Sequence, residues 1–168
     1  IKIVPTASIL THSIQMLQWV KEANNNISRI GFAMGQKGIF SRLLTTVFGA
    51  PITYASFGEA VAPGQLSMSE LQELFNIQDL NRDVQIYAYA GKEVNGSTQL
   101  ESMNRKLKMQ NHNAVCVPLE TDDLDELMTI TEKISFAGIQ LASPLKELYE
   151  KQIAQSKPLP THSLFLDF

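Results

Sequence analysis

A chain of 168 residues is long enough for one domain or two small ones, each with a real core. Its 44% hydrophobic and 18% charged residues are ordinary for a globular protein, and a net charge of -3 with a pI near 5.6 excludes the basic stripe a nucleic-acid surface needs. No apolar run approaches the roughly 18 residues of a membrane span and no signal peptide is visible.

In chain order, IKIVP (1–5) reads as a buried strand. SILTHSIQMLQWVKEA then sets Leu10, Ile14 and Leu17 on one helical face, and asparagines 24–26 end the helix. SRIGFAM (28–34) is strand-like, and the glycine loop MGQKGIFSR overlaps the helix FSRLLTTVF (40–48). Gly49 and Pro51 break that helix before ITYAS (52–56), a third strand. The loop FGEAVAPGQL leads to a short helix over SMSELQELFN (67–76), capped by Ser67 or Ser69. Strand–helix alternation of this kind implies parallel strands with crossover helices.

Residues 77–83, IQDLNRD, are polar and aperiodic, and a domain boundary is placed there. A second alternation follows: strand VQIYAYAG, helix from about Ser97 to Gln110, strand NAVCVPL. A helix over Leu124, Leu127, Met128 and Thr131 comes next, with Thr121, Asp122 and Asp123 as candidate caps. The strand FAGIQLA, a helix opened by Pro144 and a terminal strand HSLFLDF complete the pattern.

Within this frame a few residues carry chemistry. Gly35 and Gly38 mark a sharp turn or a close approach, and Arg42 just beyond them is placed to hold an anion through its bidentate fork, or else to make a surface ion pair. Lys2 lies among Ile1, Ile3 and Val4. Desolvated there it would be a nucleophile toward a carbonyl; at a fragment's end it would be solvated. Pro63 and Gly64 fix a tight turn that aims Gln65 and nearby backbone N–H groups into a pocket. Cys116, the single cysteine, excludes a disulfide framework within the chain and reads as a buried thiol; its reducing setting is cytoplasmic, or plastid in a plant parent. His12 reads as a solvated helix residue.

The series KIVP, MGQKGIFSRLLTTVFGAPITYAS and AVAPGQLSMSELQEL, from Lys2 to about Phe75, resembles the C-terminal part of type I 3-dehydroquinate dehydratase. The resemblance implies the last three strands of a (β/α)8 barrel with a Schiff-base lysine. By position Lys2 matches the lysine forming an imine with the substrate C3 ketone, and Arg42 the arginine that binds its carboxylate. Gln65 matches a glutamine contacting carboxylate or hydroxyl groups, Tyr54 an aromatic wall, and Met34 a residue beside the pocket. Val61 stands where many relatives carry Ser or Thr, and neither His12, His112 nor His162 matches the family's catalytic histidine, which precedes the lysine. A whole barrel needs about 250 residues, so the chain is expected to be a fragment whose N-terminal barrel half carries the general base.

VQIYAYAGKEVNGSTQLESMNRKL and FAGIQLASPLKE resemble the substrate domain of shikimate dehydrogenase. That resemblance makes Lys146 a catalytic lysine and Ser97 a substrate-binding serine, with a second serine replaced by Gln99, the following proline by Leu100, and asparagine and threonine replaced by Gln140 and Ala142. As a residue alone, Lys146 is equally an ordinary solvated lysine on a helix's first turn. The last glycine is Gly138, so no glycine-rich dinucleotide loop follows Lys146.

The fold class expected is thus α/β: the C-terminal part of a (β/α)8 barrel over 1–76, a linker over 77–83, and a small α/β domain over 84–168, truncated or degenerate. The expected activity is dehydration of 3-dehydroquinate to 3-dehydroshikimate without metal or dissociable cofactor, NADP entering only through a nucleotide domain outside this chain. Two other readings stand beside it: a metabolite-binding regulator built from the same domains, as in quinate repressors, and a bifunctional enzyme whose nucleotide domain lies elsewhere. Partners expected are the small-molecule substrate and the rest of the barrel, with no nucleic acid or membrane; a homo-oligomer is compatible with all three.

Overall fold

A computed structural model describes residues 1–24, 26–58 and 62–155. Val61, His162 and the expected terminal strand HSLFLDF lie outside the described residues. The order is β1 (Lys2–Ile3), α1 (Leu10–Lys21), β2 (Ile30–Gly31), α2 (Ile39–Leu44), β3 (Gln85–Gly91), α3 (Thr98–Met109), β4 (Ala114–Glu120), α4 (Leu124–Thr131), β5 (Gly138–Leu141) and α5 (Leu145–Gln155). No helix among the described residues is long and apolar enough to cross a membrane.

Both sheets are parallel. β1 pairs with β2 through Lys2–Ile30 and Ile3–Gly31, and a bridge between Thr6 and Met34 carries the pairing onward. The second sheet has the order β4-β3-β5, with Gln85 opposite Ala114 and Tyr87 opposite Gly138. Among the described residues β4 is one of its two edge strands, which is why Pro118 can sit within it. Every residue from Ala114 to Leu119 is buried although successive side chains point to opposite faces, so both faces of β4 are covered. One face meets α3 of its own half; contacts with α2 come from the first half.

The expected helical faces form. α1 buries Leu10, Ser13, Ile14, Leu17 and Val20. Ser97 caps α3, its hydroxyl accepting from Leu100 N–H at 3.3 Å, and Asp123 caps α4 by accepting from the N–H groups of Asp125 and Glu126. After the APGQ turn the backbone closes as a widened helical turn over Glu70–Leu74. Ser67 serves as its cap: its hydroxyl accepts from Glu70 N–H at 3.1 Å while the Glu70 carboxylate accepts from Ser67 N–H at 2.7 Å.

Two expected strands differ. IKIVP is not buried: Ile1 and Ile3 are 67% and 41% exposed, because β1 has a neighbour on one side only among the described residues. ITYAS forms no ladder apart from a single bridge between Ser56 and Ser67. Its backbone is satisfied by side chains instead, the carbonyl of Tyr54 accepting from Arg42 Nη1 at 3.2 Å while Thr53 Oγ1 donates to the Arg42 carbonyl at 3.1 Å. What these residues build is a parallel α/β architecture. The apolar core runs without interruption from Leu10 to Tyr149, across residues 77–83, where α1 packs on α4 and α2 on β4.

Candidate active site

The glycine loop and the APGQ turn are one structure. Gly35 (φ +85°) and Gly64 (φ +70°) both occupy left-handed backbone that side chains disfavour, and Gly35 N–H donates to the Pro63 carbonyl at 3.0 Å. A Cβ on Gly64 would lie 2.5 Å from the Gly35 carbonyl oxygen. Gly38 approaches the Ala33 carbonyl too closely for any Cβ. Ser41 locks that contact, donating to the Gly38 carbonyl at 2.6 Å and accepting from Ala33 N–H at 2.9 Å. The turn over Gln36–Gly38 leads directly into α2, which carries Arg42.

Arg42 is 3% exposed, with its guanidinium carbon 4.3 Å from the centre of the Phe32 ring. Apart from Nη1 on Tyr54, its Nε is buried with no hydrogen-bond partner, and the arginine makes no ion pair among the described residues. Burial pushes the guanidinium below its ordinary value, the mark of a cation held away from water. A desolvated cation with its Nε unspent has the chemistry to take an anion. Phe32 packs on Tyr54 with ring centres 6.0 Å apart, and the Lys2 ammonium lies 3.8 Å from the Tyr54 ring centre. Lys2, Tyr54, Phe32 and Arg42 thus form a ladder with a cation at each end and two packed rings between them. Lys2 itself is exposed, so these residues do not supply the desolvation considered from the sequence.

Met34 is half-buried and ties the strands at this end, its N–H donating to Pro5 at 2.7 Å and its carbonyl accepting from Ala7 at 3.0 Å. Gln65 is half-buried, in the turn docked on Gly35, its N–H donating to Ala62 at 3.1 Å. His12 on α1 is half-buried rather than solvated, with Nδ1 3.4 Å from the Ser8 hydroxyl.

In the second half, Ser97 is engaged in structure, its hydroxyl donating to Val94 at 2.8 Å as well as capping α3. Gln99 and Gln140, two of the four replaced positions, hydrogen-bond to each other at 3.3 Å. Ala142 packs against Gly91, where a Cβ would lie 2.6 Å away. Lys146 is half-buried on the first turn of α5, beside Glu147, whose carboxyl is held low by the Ser143 hydroxyl. A 390 Å³ cavity bordered by Lys21, Phe48, Arg82 and Lys133, and one of 230 Å³ bordered by Tyr87, Gln99, Met103 and Lys106, lie apart from Lys2, Arg42 and Gln65.

Sequence reasoning did not find Phe32, Lys37, Glu126 or Asn104. Phe32 alternates correctly to face Arg42, a signal the strand pattern contained. The Lys37–Glu126 ion pair at 2.7 Å spans 89 residues, and no local pattern marks it.

Residues 1–82 match the type I 3-dehydroquinase family. Over 149 residues the chain is 30% identical to the bifunctional 3-dehydroquinate dehydratase/shikimate dehydrogenase, chloroplastic, of Arabidopsis thaliana, covering 88% of this chain and 24% of that protein. Over 79 residues it is 42% identical to the 3-dehydroquinate dehydratase of Thermococcus gammatolerans, covering 47% of this chain and 35% of that one. It is 29% identical over 147 residues to the pentafunctional AROM polypeptide of Pneumocystis carinii, covering 87% of this chain and 9% of the relative. The chain spans about a third or less of the length of each of these relatives.

Proposed function

We propose, from the match of residues 1–82 to the type I 3-dehydroquinase family and the similarity of most of the chain to bifunctional and pentafunctional relatives, that this chain carries the imine lysine and the carboxylate clamp of a 3-dehydroquinate dehydratase, followed by a dehydrogenase-like segment. The observation that carries the reading is Arg42: a buried cation without an ion pair among the described residues, its Nε without a hydrogen-bond partner, joined through Phe32 and Tyr54 to Lys2.

In this mechanism the substrate carboxylate docks on Arg42, and Gln65 orients the ring. The Lys2 amine adds to the C3 ketone, and the ketone oxygen leaves as water to give an iminium. Electrons from the neighbouring C2–H bond flow toward that iminium as the C2 proton is removed. The C1 hydroxyl then departs as water, and hydrolysis of the imine returns Lys2 and releases 3-dehydroshikimate. The base that takes the C2 proton has no counterpart in this chain and belongs to the preceding part of the barrel. Dehydration by this route needs no dissociable cofactor, and NADP enters only through a nucleotide domain elsewhere. The setting is the cytoplasm, or a plastid in a plant parent.

The second half is read as dehydrogenase-like without a working dehydrogenase site. Pairing of Gln99 with Gln140, and engagement of Ser97 in capping, support that reading. The same features favour a metabolite-binding regulator as the alternative. Calorimetric titration with 3-dehydroquinate tests the clamp: binding by the wild-type chain and its loss in Arg42→Met are expected, and equal binding by both overturns the assignment.

A further inference from the structure

We propose that the second half of the chain holds the glycine loop of the first, with Glu126 acting as a positioning residue for Arg42; this rests on the reading of Arg42 as the carboxylate clamp. Glu126 projects from α4 with its side chain only 8% exposed. Its Oε1 accepts from Leu10 N–H, at the start of α1, at 2.6 Å. Its Oε2 accepts from the Lys37 ammonium at 2.7 Å and from the Thr121 hydroxyl at 2.5 Å. One carboxylate therefore ties two segments of the first half to the second.

The ties close a ring. Ser13, one turn along α1 from Leu10, donates to the Lys37 carbonyl at 2.8 Å, so Lys37 is fixed at its main chain by α1 and at its ammonium by Glu126. Its neighbour Gln36 is held independently: Asn95 Nδ2 donates to Gln36 Oε1 and to Glu120 Oε2, both at 2.9 Å. Both contacts land on Gln36 and Lys37, which immediately precede Gly38 and α2.

A loop punctuated by Gly35 and Gly38 has little side-chain packing of its own to define it, and glycine leaves its backbone freer than other residues do. Pro63 and Ser41 fix its two glycines, while Gln36 and Lys37 between them are held by the second half. A buried carboxylate accepting from an ammonium is a short, charge-assisted bond, stiffer than a neutral one. Through Gly38 and Ser41 that stiffness reaches the residue next to Arg42. The dehydrogenase-like half, whatever its own chemistry, thus forms part of the frame of the first half's anion site.

Glu126→Gln keeps the shape and removes the charge. In ¹⁵N-labelled chain without ligand, hydrogen exchange of the Gln36–Phe40 amides should quicken roughly tenfold while β3 and β4 amides stay unchanged. The Nε–H resonance of Arg42 should move as well. Lys37→Met, which cuts the bond from its other end, should give the same pattern and serves if Glu126→Gln fails to fold; the double variant should add nothing. Wild-type exchange and an unmoved Arg42 signal overturn the proposal. So does a loosened loop with Arg42 unmoved, since Glu126 would then hold the turn without positioning the clamp. Titration of the wild-type chain with 3-dehydroquinate keeps the two readings apart: failure to bind overturns the dehydratase reading, while the ligand-free spectra decide the role of Glu126.

Discussion

Lys2 and Tyr54 form a cation–aromatic pair, the ammonium 3.8 Å from the ring centre. The carbonyl of the same tyrosine accepts from Arg42, so one residue between two cations sets the spacing of an amine and a guanidinium. In the proposed function the amine takes the ketone and the guanidinium the carboxylate of one substrate.

The ring, not the phenol, should matter. An exposed cation–π contact is worth about 0.5–1 kcal/mol. Tyr54→Leu should therefore slow borohydride trapping of 3-dehydroquinate at Lys2 by roughly two- to fivefold, with Tyr54→Phe close to wild type. Equal rates in all three would remove Tyr54 from the account.

If Arg42 is the proposed carboxylate clamp, its burial without an ion pair should cost stability. Exchanging a buried, unpaired cation for an apolar side chain of similar length removes a desolvation cost of several kcal/mol, which offsets the lost hydrogen bond to the Tyr54 carbonyl, worth about 1.5–3 kcal/mol. Arg42→Met should keep or raise the urea midpoint while abolishing 3-dehydroquinate binding. A loss of several kcal/mol together with retained binding would show that Arg42 is structural.

Gly64→Ala places a Cβ 2.5 Å from the Gly35 carbonyl at φ +70°, where backbone must move. A cost of about 2–4 kcal/mol in denaturant unfolding is expected. Gly58→Ala has a similar φ of +87° but open space around it, and should cost only about 1 kcal/mol. Equal costs would mean that the two loops do not dock.

Asn104 protects the edge strand β4. Its side chain donates to the Cys116 carbonyl at 2.9 Å and accepts from Cys116 N–H at 2.9 Å, imitating a missing neighbour strand. Asn104→Leu leaves both backbone groups buried and unmet, for about 2–5 kcal/mol by urea unfolding. A change below 1 kcal/mol would refute the role.

Burial pushes the Cys116 thiol well up from its ordinary value. The unfolded thiol ionises near 8.5, roughly, whereas the folded one keeps its proton. Above that pH the folded state binds more protons than the unfolded, so this contribution is fully present below pH 8.5 and falls as pH rises. Between about pH 8.5 and 10 the slope should approach 1.4 kcal/mol per pH unit, and Cys116→Ala should abolish it. Tyr149, also raised by burial, adds its share only near and above about pH 10.

Local chemistry was legible. Ser67, one of two candidate caps, and Asp123, one of three, cap their elements, and Leu10, Ile14 and Leu17 bury the face their spacing describes, whereas Ser97, read as a substrate-binding serine, caps α3. Gly35, Gly64 and Arg42 were recognisable because unusual backbone and a lone arginine leave marks in sequence. What stayed hidden depends on distant partners. ITYAS has strand propensity, yet strand formation needs a neighbour, and Arg42 and Thr53 satisfy its backbone instead. The exposure of Ile1 and Ile3 likewise reflects what is not packed beside β1, and nothing in IKIVP encodes that. Glu126 looked like one more acid in the first turn of α4; its meaning comes from Leu10 and Lys37.

The central claim is that Lys2 forms the imine. Incubation with 3-dehydroquinate, borohydride reduction and peptide mass mapping tests it most directly. A single substrate-derived adduct on the peptide containing Lys2, absent in Lys2→Met and diminished in Arg42→Met, is the predicted result. No adduct, or adducts spread over the exposed lysines without dependence on Arg42, would contradict it.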